Sequence, residues 1–150
     1  MNANHVALLR DAINRHIQLT DQDFELLTPY LSYRLLSKGE YWIAEGKKEQ
    51  QIGLIINGNL RHYYTHDVEE KTTYFYFENH LVSSYFSAIT GQPSQLTIEA
   101  LTDSHLITFP YKVLVSLYDS SHLWERFGRK LAEYLALGLE EFAGIPLMTQ

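Results

Sequence analysis

Lys38-Gly39-Glu40-Tyr41-Trp42-Ile43-Ala44-Glu45-Gly46, followed by Ile52-Gly53-Leu54-Ile55-Ile56-Asn57-Gly58-Asn59-Leu60-Arg61, holds three short apolar runs separated by glycines at turn spacing. Runs of that length bounded by glycine read as consecutive strands of a small, tightly turned β-structure. The same pattern continues from Tyr33 to about Phe109, with turns at Asn57-Gly58, from Thr65 to Lys71, at Gly91-Gln92-Pro93 and around Asp103-Ser104. About eight strands in one block imply a jelly roll or barrel. Within it, Tyr74-Phe75-Tyr76-Phe77 is apolar on both faces and reads as a strand covered on both sides, while Ser83 to Ile89 fits a short helix. On the strand before them, His62, Tyr64 and His66 share one face and Tyr63 and Thr65 the other.

Helical spacing flanks the block on both sides. Val6, Leu9, Ile13 and Ile17 form one apolar stripe over about 4–16, and Thr20 offers a cap for a second helix with Asp21 and Asp23 at its positive end. Phe24, Leu27 and Leu31 would face inward there, and Pro29 limits that helix. Beyond the strands, Pro110 suits the first turn of a short helix containing Val113, Leu114 and Leu117. A longer helix is expected from about Ser121 to Phe142, where Trp124, Phe127, Leu131, Tyr134 and Phe142 form an approximately heptad stripe with Leu135 beside it. That stripe is expected to be a dimer seam, with core packing as the alternative.

Size and composition bound the function. A chain of 150 residues supports one domain with a substantial core. Residues 1–150 are therefore expected to form a single unit: N-terminal helices over 1–31, a β-roll over 33–109 and C-terminal helices over 110–143. The sequence is 45% apolar with eleven Tyr and seven Phe, which excludes a disordered chain. It has no cysteine, so disulfides, thiolate nucleophiles and Cys-based metal sites are excluded. A formal charge of −6 argues against nucleic-acid binding by this chain alone, because phosphate contacts need a concentrated basic surface. The N-terminus lacks a basic region followed by an apolar stretch, and no run approaches the roughly 18 apolar residues of a membrane span. A soluble, cytoplasmic protein with no membrane partner is expected.

Catalytic motifs are absent: there is no Gly-X-Ser-X-Gly, P-loop, dinucleotide fingerprint or His-Glu-X-X-His. Seven histidines raise a metal alternative, in which His62 and His66 with Glu69 or Glu70 form a cupin-like site. No His-X-His occurs, and scattered solvated histidines are the plainer reading. Neither an enzyme nor a metal site is expected.

The order helix, roll, short helix, long helix resembles the cyclic-nucleotide-binding effector domain of Crp/Fnr-type transcription regulators. The resemblance rests on Lys38-Gly39-Glu40, Glu45-Gly46, Ile55-Ile56-Asn57-Gly58-Asn59-Leu60-Arg61, Gly91-Gln92-Pro93-Ser94 and Ile98-Glu99-Ala100-Leu101, and it covers nearly all of the chain. It implies a mainly β fold with flanking helices, a double-stranded β-helix or jelly roll, and a long C-terminal dimerisation helix. It also implies a homodimer that meets DNA only through an attached helix-turn-helix. This chain stops at Ile145-Pro146-Leu147-Met148-Thr149-Gln150, where the linker to that module would begin.

Family members that bind cyclic AMP carry a Gly-Glu pair and an Arg-Ser or Arg-Thr pair in a phosphate-binding cassette. The matching positions here are Ser83-Ser84 and Ser94-Gln95, so the guanidinium for the phosphate and the carboxylate for the ribose are both missing. A buried phosphate without a paired cation is costly, since a charged hydrogen bond contributes roughly 1.5–3 kcal/mol. Cyclic AMP is not expected as a ligand, and no cofactor is implied. Ser83, Ser84, Ser94, Gln95 and Thr97, with Tyr85, Phe75 and Phe77 as walls, would instead form a neutral polar pocket for a small uncharged effector. By analogy with the family, Tyr134, Ala136 and Leu139 to Glu140 pass that pocket. The alternative is a non-sensing dimerisation module whose degenerate pocket is filled by its own side chains.

Overall fold

The computed structural model describes the backbone of residues 2–148 and the side chains of residues 2–135. Eight strands form two four-stranded antiparallel sheets. One contains β1 (Ser32–Leu36), β8 (Ser104–Pro110), β3 (Gln51–Asn57) and β6 (Leu81–Val82), in that order. The other runs β2 (Tyr41–Ile43), β7 (Thr97–Ala100), β4 (Leu60–His66), β5 (Glu69–Tyr76). Five α-helices accompany them: α1 (Ala3–Asn14), α2 (Asp21–Glu25), α3 (Tyr85–Thr90), α4 (Tyr111–Leu117) and α5 (His122–Met148). A 3-10 turn at Thr28–Tyr30 stands where Pro29 ends the second helical segment. The result is a mainly β jelly-roll fold with helices at both ends of the chain.

Local chemistry explains the boundaries. Asn2 caps α1 by accepting from the His5 N–H, and Thr20 and Asp23 form a reciprocal capping box at the start of α2. Gly58, between β3 and β4, sits at φ +107°, and a Cβ there would lie 2.2 Å from Ser104 Oγ, so only glycine fits. Gly91 closes α3 in the left-handed conformation, which ends the helix and turns the chain into the 92–96 loop.

Strand alternation divides the core in two. Along β3, Ile52 and Leu54 pack towards the helices, whereas Ile55 packs between the sheets with Trp42, Leu60, Ile98 and Leu106. The sheet covered on both faces is therefore the one containing β3 and β8. β5 lies at the edge of the other sheet, and its aromatic run alternates: Tyr76 is buried, while Phe75 and Phe77 are 37% and 51% exposed. This corrects the sequence expectation of a doubly covered strand at Tyr74–Phe77.

The first members of the α5 stripe follow the core-packing alternative. Trp124, Phe127 and Leu131 are wholly buried in this chain's own core against Leu9, Ile13, Leu27 and Leu114. Trp124 Nε1 donates to the Asp23 carbonyl at 3.0 Å, and Lys130 Nζ to the His16 carbonyl at 2.7 Å, which ties α5 to the N-terminal helices. Tyr134 packs edge-on against the His16 ring. Trp124, Phe127 and Leu131 are consumed within one chain, while Tyr134 is half-buried. Phe142, the last member of the stripe, lies outside the residues whose side chains are described.

Candidate functional site: an uncharged cleft between the roll and the long helix

β4 and β5 pair with Leu60 opposite Tyr76, Arg61 opposite Phe75 and His62 opposite Tyr74. Directly paired residues of an antiparallel sheet share a face, so His62, Tyr74 and Tyr76 point inward while Arg61 and Phe75 point out. A bulge follows His62 on this pair. On its other side His62 pairs with Ile98 of β7. The inner face meets the β6–α3 connection, the loop entering β7 and the first half of α5, and the four enclose a cleft of about 140 Å³.

Four elements line that cleft. The sheet supplies His62, Tyr64, Tyr74 and Tyr76; the β6–α3 segment supplies Ser83, Ser84, Tyr85 and Phe86; the loop before β7 supplies Gln95 and Leu96; α5 supplies Leu135. No lysine, arginine, aspartate or glutamate is among these lining residues. The nearest strand cation, Arg61, faces the other way and bonds Glu99 at 2.9 Å and Glu70 at 2.8 Å.

The serines are largely committed to the scaffold. Ser94 Oγ donates to the Leu96 carbonyl at 2.8 Å, which leaves Ser84 Oγ, 2.9 Å away, to donate to Ser94. Ser83 Oγ donates to the Gln51 carbonyl, and Thr97 Oγ1 accepts the Glu45 N–H at 3.0 Å. The Ser84–Ser94 bond holds the start of α3 to the loop before β7, while Ser83 ties the segment before α3 to β3.

The aromatic wall differs. His62 is only 2% exposed, and neither ring nitrogen has a hydrogen-bond partner. Burial holds its pKa down at about 4, so the imidazole is neutral at physiological pH. Burial pushes the Tyr76 and Tyr85 phenols up, with neighbouring tyrosines adding to the effect. The described lining is thus neutral, buried at His62, Tyr76, Ser83 and Ser84 and open to solvent at Tyr64, Phe86 and Gln95.

Of the residues that the sequence proposed for a pocket, Ser83, Ser84, Tyr85 and Gln95 meet at the cleft. Ser94 and Thr97 are buried behind it, and Phe75 and Phe77 lie on the outer face of β5, away from it. Ala136, Leu139 and Glu140 lie outside the residues whose side chains are described. The sequence offers His62 as a metal ligand alongside His66. His66 sits at the hairpin tip, 95% exposed and beside Asp67, so the two do not converge. Among the described residues no group of three His, Asp or Glu side chains is arranged to hold a metal ion. The signal that would have found His62 is the strand register, which places it between Ile98 and Tyr74.

The sixth strand of this jelly roll runs into the short helix α3 beside the cleft, and Leu135 of the long helix α5 also lines it. The chain belongs to the cyclic nucleotide-binding domain family, whose model matches residues 33–121. A search of curated proteins gives no match. Among solved structures, the fold is similar to a cyclic nucleotide-binding domain from Methylobacillus flagellatus KT, with a TM-score of 0.81 at 15% identity over 98% of this chain and 85% of that one. It is also similar to the sensor domain of the transcriptional regulator DNR from Pseudomonas aeruginosa, with a TM-score of 0.69 at 20% identity over 87% of this chain and 93% of that one. The Thermus thermophilus catabolite activator protein aligns with a TM-score of 0.69 at 22% identity, and the chain spans 60% of its length.

Proposed function

We propose that this chain is the ligand-sensing and dimerisation domain of a Crp/Fnr-like transcription regulator, with an effector other than a cyclic nucleotide. The observation that carries the reading is the cleft lining, which among the described residues contains no charged side chain. Desolvating a phosphate monoanion against neutral walls is unfavourable, whereas an uncharged molecule loses little there. The site is regulatory in this reading, not catalytic.

Signal transfer follows from the walls. Leu135 of α5 and the tyrosines of the sheet line the same cleft, so an occupant touches roll and long helix together. A ligand that binds one arrangement of that contact better than another shifts the population between them. The first half of α5 is spent on the chain's own core, so pairing with a second copy falls to its continuation towards Met148. Attached DNA-binding modules would be repositioned by that helix pair.

Thermal denaturation against a metabolite panel tests the reading. A melting shift from uncharged members and none from cyclic AMP or cyclic GMP is the expected result. A shift from a cyclic nucleotide overturns the ligand assignment. Silence from the whole panel favours a non-sensing dimerisation module, which the internally bonded Ser84, Ser94 and Leu96 would also suit.

A further inference from the structure

His62 stands out among the cleft residues because its environment supplies nothing for it. Its imidazole is 2% exposed, with Ile98 and Tyr74 as strand partners, and both Nδ1 and Nε2 are without a partner. A neutral imidazole carries one donor and one acceptor, and leaving either unmade in a buried setting costs stability that a hydrocarbon of the same shape would not lose. Its neighbours are aromatic: Tyr64 and Tyr76 lie with ring centroids 5.7 and 6.3 Å from it, and Tyr74 lies 4.8 Å from Tyr76. The serines nearby are bonded to one another and to main chain, so they do not turn to meet it.

We propose that His62 is the recognition group of the cleft, and that its ligand is a small uncharged ring compound, a phenol or nitrogen heterocycle, with a polar N–H or O–H. This rests on the sensor reading above. The ring follows from the aromatic walls, which offer faces and edges for stacked or tilted contacts. The absence of charge follows from the lining, which would leave a carboxylate or phosphate unpaired. The polar group follows from His62, whose two ring nitrogens lack a partner and are closed to water in the unliganded cleft, so that a ligand bonds one of them by displacing the side chains around it. A volume of about 140 Å³ is enough for a small ring compound.

The test uses the full chain labelled with nitrogen-15 in its histidine rings and followed by NMR. Phenol, indole and hypoxanthine serve as uncharged probes, with benzoate and adenosine monophosphate as charged counterparts. At least one uncharged probe is expected to move the His62 ring nitrogens saturably, and His62→Phe is expected to weaken that probe at least tenfold. The apo variant should melt at or above the wild-type temperature, because phenylalanine fills the space without an unmet polar atom.

Equal affinity in His62→Phe overturns the proposal, as do His62 resonances that no uncharged probe moves. The second readout needs only the wild-type chain, so it stands even if the variant fails to fold. Saturable binding of benzoate or adenosine monophosphate in the cleft, with the uncharged rings ignored, overturns this inference and leaves a sensor of another ligand class intact. Unperturbed resonances in all titrations, beside a hit in the thermal panel, separate the two in the same way.

Discussion

Arg61 and His62 are neighbours on β4 and face opposite sides of one sheet. On the outer side, Arg61 bonds Glu99 and Glu70 and lies over the Tyr63 ring at 4.0 Å, so its charge is matched by two carboxylates and an aromatic face. On the inner side, the His62 ring nitrogens have no hydrogen-bond partner, and among the described residues no charged side chain lines the cleft. The sheet keeps its charge where water screens it and presents neutral surface to the cleft. A cavity built this way selects by shape and by single hydrogen bonds, and it disfavours anions because the cation on this strand points away.

The largest expected effect of this asymmetry is on acid stability. His62 has an ordinary value of 6.5 and about 4 when folded. Between those values the unfolded chain binds the extra proton, so stability falls as pH is lowered through that window. The difference amounts to on the order of 3 kcal/mol, largely removed in His62→Phe. Burial and nearby cations also lower His16 and His80, so the variant should keep a shallower slope. Urea titrations at pH 7, 5.5 and 4.5 measure both slopes, and identical slopes would mean that the inner face is wetter than described.

Next is the polar scaffold behind the cleft. Ser94→Ala removes the acceptor for Ser84, in a buried bond, and the donor to the Leu96 carbonyl, in a half-buried one, and should cost about 1–3 kcal/mol in chemical denaturation. Arg61→Ala on the outer face should cost less, about 1 kcal/mol, because the three charged groups are partly exposed. Its cost should shrink further in 0.5 M salt, whereas the Ser94→Ala cost should not. A salt-sensitive Ser94→Ala would contradict the division between the two faces.

Much of this architecture is readable from local signals. Turn glycines, the Thr20-Asp23 capping box and the Gly91 stop each act within a few residues, and the elements they bound lie within a few positions of where the pattern puts them. The cassette positions were legible as well, since Ser83, Ser84, Tyr85 and Gln95 do meet at the cleft. What depends on register was not legible. Tyr74-Phe75-Tyr76-Phe77 has four aromatics and no polar marker, so nothing local shows which pair points inward, and the bulge after His62 is invisible until β4 and β5 are paired. The stripe on α5 was ambiguous for a related reason. Heptad-like spacing shows that one face of a helix is buried, without showing whether α1 of the same chain or a second chain buries it.

The most direct test of an uncharged cleft is isothermal titration of the chain with cyclic AMP and cyclic GMP at neutral pH. No saturable heat up to millimolar ligand is the predicted result, because nothing in the lining neutralises the cyclic phosphate. Micromolar binding of either nucleotide would contradict it, and would mean that a cation not among the lining residues reaches the phosphate.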